Sequence, residues 1–238
     1  MKMVAKIKHW GKDIWDKKQE EQGSLGIIAG TVETRNFMDN QTRQEFRVIE
    51  RIVLPVLSKG AKITDAGIGP FARFSIEFAK RGYSVTGIDI SPNVLKVAKK
   101  EIEKSGCIIN LFEDDMTNIK NIKEKQDLVF CFGTFGHIPS FLSITVLKEF
   151  NKILKDKGHA YVHFWINKEK GIKNILHDFI YELGHYIKKK FGRSYKVNSS
   201  FYTEAEIKDM VTMAGFEIMA HYEGSYLLRK VQSFKASS

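Results

Sequence analysis

A regular alternation of strand and helix patterns runs through the middle of this 238-residue chain and constrains its fold more than any other feature. Ala61–Ala66 is predicted as a strand that leads into the turn Gly67-Ile68-Gly69-Pro70. Phe71–Arg81 follows as a predicted helix that ends at Gly82. Alternation of this kind is typical of a parallel sheet with right-handed crossovers. The other predicted strands are Tyr83–Ile90, Cys107–Phe112, Asp127–Phe132 and His159–Trp165, and the other predicted helices of this region are Pro92–Lys104 and Ile144–Leu154.

The C-terminal part of the chain departs from this alternation. A helix is predicted over Thr203–Ala214, with Thr203 as its N-cap and Glu206 at the capping-box position. Two short strand patterns follow, and the link between them is too short for a crossover, so they must pair as an antiparallel hairpin. We therefore predict an α/β fold, a Rossmann-like, mostly parallel seven-stranded sheet with helices on both faces and an antiparallel C-terminal hairpin. The hairpin strands are Phe216–Tyr222 and Tyr226–Val231, joined by Glu223-Gly224-Ser225.

The length suits a single domain with a full core, and we predict one domain over residues 1–238. Ahead of the alternation, Thr42–Leu57 has apolar residues at helical spacing, and Trp10 and Trp15 lie on a short predicted helix. An insertion with one predicted helix, Ile172–Phe191, separates the fifth strand from the C-terminal helix. The four predicted segments are an N-terminal helical cap (1–58), a cofactor-binding core (59–166), a lid insertion (167–200) and the C-terminal helix and hairpin (201–238).

The formal net charge is +10, from 38 basic and 28 acidic residues. Such a charge fits a polyanion such as RNA, or an anionic membrane surface. It fits better with lysines spread over solvated faces, because arginine, the better phosphate ligand, is scarce here. No added RNA-binding module is recognisable at either end. Nucleic acid therefore remains an open but less favoured partner.

The two cysteines, Cys107 and Cys131, both fall in predicted strands, which indicates buried free thiols in a reducing compartment. No Cys or His spacing resembles a zinc site, so we expect no metal. Met1–Trp15 has lysines scattered through it and is not a signal peptide, and no apolar run reaches the length of a membrane span. We therefore expect a cytoplasmic protein without a transmembrane segment.

Three residues at the ends of the first two strands predict an adenosine cofactor. Gly67 and Gly69 let the backbone approach a ligand, and Asp89 ends the second strand, where a carboxylate can accept hydrogen bonds from both ribose hydroxyls. These residues also fit the dinucleotide pattern, with Ala72 at the third glycine position. Asp65 argues against a dinucleotide, because its carboxylate would face a pyrophosphate; it suits a ligand with an ammonium and a sulfonium group. The alternative role of both glycines is that of ordinary turn residues.

From Ala61 to Val231 the chain resembles the class I S-adenosylmethionine-dependent methyltransferases. No single motif is decisive, and the order and spacing of the motifs carry the resemblance. One departure is that Phe71, preceded by Pro70, stands where the family's first motif usually has its third glycine, which would narrow the loop near the methionine end of the cofactor. The motifs that resemble the family are Asp65-Ala66-Gly67-Ile68-Gly69, Asp89-Ile90-Ser91, Glu113-Asp114-Asp115-Met116, Asp127 to His137, Leu154-Lys155-Asp156-Lys157-Gly158, Tyr202-Thr203-Glu204 and Ala214-Gly215-Phe216.

The resemblance implies S-adenosylmethionine as cofactor, S-adenosylhomocysteine as product, and a set of binding residues. In the loop after the third strand, Asp115 or its neighbour Asp114 would bind the adenine amino group, and Met116 would pack on the ring. The alternative for Asp115 is an N-cap or Asx turn. Phe132 and Gly133 lie at the end of the fourth strand, where residues of this fold line the ligand crevice. The alternative is that they only terminate the strand. The predicted cofactor-binding residues are Asp65, Gly67, Gly69, Asp89, Ile90, Asp114, Asp115, Met116, Phe132 and Gly133.

Residues for the methyl acceptor are harder to assign, because methyl transfer from a sulfonium needs mainly alignment in a dry site. His137 lies in the loop after the fourth strand and is the candidate general base for a hydroxyl acceptor; the alternative is a structural histidine. His163, inside the predicted fifth strand, is expected to be buried and satisfied. The insertion helix is expected to cover the acceptor pocket with three side chains that share one helical face at positions i, i+4 and i+8. The spacing of this stripe of side chains does not match a recognised set of metal ligands. The stripe is His177, Tyr181 and His185.

These features predict an S-adenosylmethionine-dependent methyltransferase that acts on a nitrogen or oxygen of a small-molecule acceptor. Two alternatives remain: an RNA-modifying methyltransferase that uses the basic surface, and a protein that binds an adenosyl cofactor without catalysis. A continuous basic face over Lys188–Lys196 at the cleft mouth would favour RNA, whereas a closed pocket would favour a small acceptor.

Overall fold

The structure is a computed structural model that describes residues 32–167, 180 and 200–231. Seven strands and five longer helices form the described part of the chain, with three short 3₁₀ segments between them. The helices are α1 (Val32–Ile52), α2 (Arg73–Lys80), α3 (Pro92–Ser105), α4 (Ser143–Ile153) and α5 (Glu204–Met213), the 3₁₀ segments are Leu54–Val56, Phe135–His137 and Ser140–Leu142, and the strands are β1 (Lys62–Ala66), β2 (Ser84–Asp89), β3 (Asn110–Glu113), β4 (Gln126–Cys131), β5 (Leu154–His163), β6 (Phe216–Tyr222) and β7 (Ser225–Lys230).

All seven strands belong to one sheet in the order β3-β2-β1-β4-β5-β7-β6. The first five strands pair in parallel, and β1 lies between β2 and β4, so the chain's winding direction reverses between β1 and β4. Ligands of open α/β sheets bind at such a reversal, outside the carboxyl ends of the strands. The predicted seven-stranded, mostly parallel fold is confirmed.

The C-terminal hairpin is confirmed as well, and it closes one edge of the sheet. β7 pairs antiparallel with both β5 and β6. The two-residue turn has φ of 43° at Glu223 and 87° at Gly224, as a type I′ hairpin turn requires. The Phe164 amide donates to the Gly224 carbonyl over 2.8 Å, so the hairpin tip is fastened to the end of β5.

Helices cover both faces of the sheet, as the buried strands require. On one face α1 and α2 pack on the central strands through a cluster of aromatic rings, in which Phe78 lies 5.2 Å from Phe46 and 5.3 Å from Phe130. On the other face α4 and α5 bury Phe150 and Ile207 against β4 and β5. The predicted capping box of α5 is present.

Several element boundaries differ from the predictions. The third strand was predicted at Cys107–Phe112, but β3 starts only where it can pair with β2, and Cys107 lies ahead of it, half-buried. The fifth strand was predicted at His159–Trp165. β5 starts five residues earlier and passes through Lys157 at φ 61°, with a register irregularity against β4. It ends at His163, so Trp165 lies beyond the strand.

Some predicted features lie outside the described residues. The short N-terminal helix is among them, as is the insertion helix apart from Ile180. Within the described ranges, no helix combines the length and apolar character needed to cross a membrane. The residues named in the sequence analysis that the structure does not describe are Trp10, Trp15, His177, Tyr181, His185 and Lys188–Lys196.

Candidate active site

A cavity of about 410 Å³ opens at the carboxyl ends of β1, β2 and β4, where the winding direction reverses. We refer to it as the switch-point cavity. Its wall brings together most of the predicted site residues with side chains that the sequence did not single out. The predicted residues on the wall are Asp65, Gly67, Gly69, Asp89, Ile90, Met116, Phe132, Gly133 and His137, and the others used below are Gln41, Arg73, His163 and Trp165.

The glycine turn after β1 has two glycines with different roles. Gly67 has φ of 78°, its amide donates to the Ile88 carbonyl over 2.8 Å, and a Cβ there would lie 2.5 Å from side-chain atoms of Thr134. Gly69 has φ of 65°, and a Cβ there would meet none of the described residues within 4 Å. Gly67 therefore permits close packing of two loops, whereas Gly69 keeps open space beside the backbone.

Asp89 ends β2 and fixes its carboxylate beside the glycine turn. One oxygen accepts from the Gly69 amide at 3.3 Å, and the other accepts from the Ser91 amide at 3.0 Å. Ser91 in turn caps α3, accepting from the Val94 amide at 3.1 Å. The strand end, the turn and the helix start thus hold the carboxylate on the cavity wall. The apolar side chains of Ile90, Val94 and Met116 share that wall.

Asp65 lies on the cavity wall but is almost completely removed from solvent. Its carboxylate accepts a hydrogen bond from the Ser75 hydroxyl at 2.6 Å. Burial raises the pKa of Asp65 from 3.8 to about 7, although the Ser75 hydrogen bond and the nearby Arg73 guanidinium act in the opposite direction. The carboxyl therefore changes charge near neutral pH, and a cation in the cavity would favour its ionised form.

We expect Asp65→Asn to flatten the pH dependence of folding stability. The folded state keeps the Asp65 proton up to about pH 7, whereas the unfolded chain releases it near 3.8. The contribution of Asp65 to folding stability is therefore fully present below pH 3.8, and it is lost as the pH rises towards 7. Between about pH 5 and about pH 7.5 the wild-type free energy of unfolding should lose on the order of 3 kcal/mol relative to the variant.

Urea unfolding of both proteins at the two pH values measures this difference. His163, whose pKa is lowered to about 4, adds an opposite slope to both proteins, so their difference isolates Asp65. Parallel pH curves for the two proteins would show that Asp65 is already ionised in the folded state.

The loop after β3 uses its two carboxylates to hold itself in place. The Asp114 carboxylate accepts from the backbone amides of Lys120 at 2.9 Å and Asn121 at 2.7 Å. Asp115 accepts from the amide and the hydroxyl of Thr117 at 2.8 and 2.7 Å, which is an Asx-turn arrangement. Met116, inside this turn between Asp115 and Thr117, is the residue of the predicted trio that lines the cavity.

Arg73 is a residue of the site that the sequence did not reveal. It lies on the cavity wall at the start of α2, and its guanidinium donates to the Gln41 side chain at 2.8 Å and to the Met38 carbonyl at 3.2 Å. It thereby ties α1 to the glycine-turn side of the cavity. Burial lowers the pKa of Arg73 to about 10, so it remains charged at neutral pH.

His137 and Trp165 form a ring-lined end of the cavity. His137 closes the 3₁₀ segment after β4, is half-buried, and meets Trp165 edge-to-face at 4.7 Å between ring centroids. Gly136 makes this contact possible, because a Cβ there would lie 2.3 Å from the Trp165 ring. The sequence predicted His137 at this end but did not identify Trp165.

His163 was predicted to be buried and satisfied, and this prediction is wrong. It is half-buried on the cavity wall, and its ring stacks on Phe132 with centroids 4.4 Å apart. Its Nδ1 is buried with no hydrogen-bond partner among the described residues. A buried unpartnered nitrogen costs about 1–3 kcal/mol. Burial and the nearby Arg73 charge lower the pKa of His163 to about 4, so its ring is uncharged at neutral pH.

Among the described residues no group of three or more His, Cys, Asp and Glu side chains could hold a metal ion. What the site does offer is two carboxylates, an open backbone turn, an apolar wall and an end made of aromatic and imidazole rings. These groups suit an organic cation that carries both a ribose and an apolar ring.

Comparison with known proteins agrees with this arrangement. Residues 63–158 match a family model described as a methyltransferase domain. A Methanocaldococcus jannaschii protein, provisionally named a protein N5-glutamine methyltransferase, is 29% identical over 161 residues, which are 67% of this chain and 73% of that protein. A ubiquinone biosynthesis O-methyltransferase of Actinobacillus pleuropneumoniae is 36% identical over 104 residues. Those residues are 42% of this chain and 43% of the relative, so the chain matches less than half of that protein's length.

Among solved structures, the magnesium protoporphyrin IX methyltransferase of Synechocystis PCC 6803 with bound SAH has a TM-score of 0.65 at 19% identity. The match covers 95% of this chain and 100% of that chain, and at this identity it establishes the shared fold. The methyltransferase domain match spans β1 to the start of β5, the part of the sheet that builds the cavity. Residues 63–158 are therefore a methyltransferase domain, carried on the fold that the chain shares with this solved methyltransferase.

Proposed function

We propose that this methyltransferase transfers the methyl group to a nitrogen or oxygen of a small-molecule acceptor that reacts at the ring-lined end of the switch-point cavity. The lining of that cavity carries the proposal: a space of about 410 Å³ is bounded by two carboxylates and the glycine turn together with the rings of His137, His163 and Trp165. A space of this size suits small organic molecules.

S-Adenosylmethionine fits the groups on the cavity wall. Asp89 is held where a carboxylate can accept from two ribose hydroxyls, and Asp65 supplies a second negative charge for the ammonium and sulfonium end. Gly69 and Gly133 both have positive φ, and a Cβ on either would project into open space among the described residues. The backbone can therefore approach the cofactor there. Met116 and Ile90, with the loop carboxylates Asp114 and Asp115 beside them, are assigned to the adenine end.

When bound, S-adenosylmethionine supplies a methyl group already activated by a positively charged sulfur. The chain's own residues then have to hold the acceptor in line and keep water out. We assign His137 as the group that accepts the proton from a hydroxyl acceptor; an amine acceptor would need only to lose its proton beforehand. The half-buried position of His137 at the ring-lined end, against Trp165, supports this role.

A screen of metabolite and RNA pools with radiolabelled S-adenosylmethionine tests the proposed function. We expect label in small molecules. If that acceptor reacts through a hydroxyl group, His137→Ala should lower kcat by about 100-fold or more, because general base catalysis typically contributes that much. The affinity for S-adenosylhomocysteine, measured by calorimetry, should stay unchanged.

Three other results would contradict parts of this proposal. Label in RNA alone would replace the small acceptor by the RNA alternative. Cofactor binding without label in either pool would favour the non-catalytic alternative. Unchanged turnover of the His137→Ala variant would return His137 to a structural role.

A further inference from the structure

A second groove, of about 590 Å³, adjoins the switch-point cavity between α1 and the β6–β7 hairpin. We propose that this groove binds the methyl acceptor and that the acceptor is a small molecule with a carboxylate group. This inference rests on the proposed function and adds the acceptor's binding site and chemical class. We name it the acceptor groove. Its walls are Arg47, Val48 and Arg51 from α1 and His221, Tyr222 and Glu223 from the hairpin.

Only a thin partition separates the acceptor groove from the switch-point cavity. Gln41, Phe132 and His163 line both spaces. The stacked rings of Phe132 and His163, with centroids 4.4 Å apart, belong to that partition. An acceptor held in the groove must extend its reacting group past these shared side chains into the switch-point cavity, because the nucleophile must come within about 3–3.5 Å of the methyl carbon.

His163 has the properties of a ligand contact at this partition. Its Nδ1 has no hydrogen-bond partner within the described ranges, although buried nitrogens are normally paired. Its ring is uncharged at neutral pH, so one nitrogen can donate and the other can accept. We assign His163 to position a hydroxyl or amine of the acceptor through a hydrogen bond to its ring.

Arg47 and Arg51 give the groove its preference for an anion. They lie one helical turn apart on α1, both exposed, and neither pairs with a carboxylate in the described part of the chain. Glu45, deeper in the groove, is engaged, because Tyr161 and Ser225 both donate to its carboxylate. The lining therefore carries two arginines and two glutamates, and the two guanidinium groups are exposed charges that no described carboxylate pairs with. Guanidinium groups bind carboxylates through paired hydrogen bonds.

Ligand-observed NMR on the full chain saturated with S-adenosylhomocysteine tests the charge preference. The probes are small aromatic hydroxy acids, each paired with its own uncharged carboxamide. We expect the acids to bind about ten-fold more tightly than the amides, as charge-assisted hydrogen bonds imply. The double variant Arg47→Gln/Arg51→Gln should remove that preference. Arg43→Gln is the matched control, since Arg43 lies on the same helix but faces another groove and donates to Asn40.

A second pair of probes tests His163. His163→Phe keeps a ring on Phe132 and removes both nitrogens. Wild type should bind a hydroxy acid more tightly than the same acid without its hydroxyl, and this difference should vanish in the variant. Its affinity for S-adenosylhomocysteine should stay unchanged, which separates lost hydrogen bonding from a misfolded site.

The outcomes separate this inference from the proposed function. If acids and amides bind equally to wild type, or if Arg43→Gln weakens acids as much as the double variant does, the anion preference is wrong. If the hydroxyl preference persists in His163→Phe, the role of His163 is wrong. Failure of the chain to bind S-adenosylhomocysteine would instead contradict the cofactor assignment on which the proposed function depends.

Discussion

Asp89→Ala should abolish the rise in melting temperature that S-adenosylmethionine or S-adenosylhomocysteine causes in the wild-type protein. A ligand at about 100 times its Kd stabilises the native state by about 2.7 kcal/mol. In the proposed complex the Asp89 carboxylate accepts hydrogen bonds from both ribose hydroxyls. Each hydrogen bond to a charged group contributes about 1.5–3 kcal/mol to the binding free energy. Losing both would weaken binding by more than about 100-fold, enough to remove the shift. Thermal unfolding with and without each ligand measures it.

Two controls show whether this loss is specific. Asp89→Asn keeps an oxygen beside the Gly69 amide but removes the charge, so we expect a reduced shift instead of none. NAD should leave the melting temperature of wild type unchanged. If Asp89→Ala still responds fully to S-adenosylmethionine, the ribose does not bind at Asp89, and the orientation assigned to the cofactor is wrong.

Gly67→Ala should destabilise the fold by about 2–4 kcal/mol, measured by urea unfolding. A left-handed backbone at an alanine costs about 1–2 kcal/mol, and φ is 78° at this position. The new Cβ would also lie 2.5 Å from the Thr134 side chain, and overpacking adds about 1–3 kcal/mol. The loops after β1 and β4 would have to separate, which opens the cavity wall between them.

Gly69→Ala is the matched control for this substitution. Its φ of 65° imposes a similar backbone cost, but its Cβ meets none of the described residues within 4 Å. We expect a loss of only about 1–2 kcal/mol in stability, together with weaker S-adenosylhomocysteine binding because the methyl group occupies cofactor space. Equal destabilisation by the two substitutions would mean that Thr134 moves aside without cost.

Much of the fold could be predicted because local patterns determine it. Gly67, Gly69 and Asp89 are close in sequence to the strand ends that position them. β3 was misplaced because an edge strand with one partner starts where β2 offers hydrogen bonds, at the pairing of Thr86 with Asn110. No local pattern in the sequence records that register.

The missed site residues depend on contacts that are distant in sequence. Arg73 matters because α1 crosses the start of α2, and Trp165 because Gly136 lets its ring approach. His163 was predicted inside a strand that ran on to Trp165. The strand ends at His163, at the same sheet edge as Phe132 at the end of β4. The parallel alignment of the fourth and fifth strands, which the sequence did predict, was the signal that could have placed His163 beside Phe132.

The buried carboxyl of Asp65 has a consequence for turnover. In the absence of a ligand the Asp65 carboxyl ionises near pH 7. Binding of a cationic methyl donor should therefore release a proton, and its affinity should increase as the pH rises. After transfer the spent nucleoside has lost its sulfonium charge, so it stabilises the carboxylate less and proton uptake is favoured again. Methyl transfer would thereby lower the affinity for the spent nucleoside and favour its exchange for a new methyl donor.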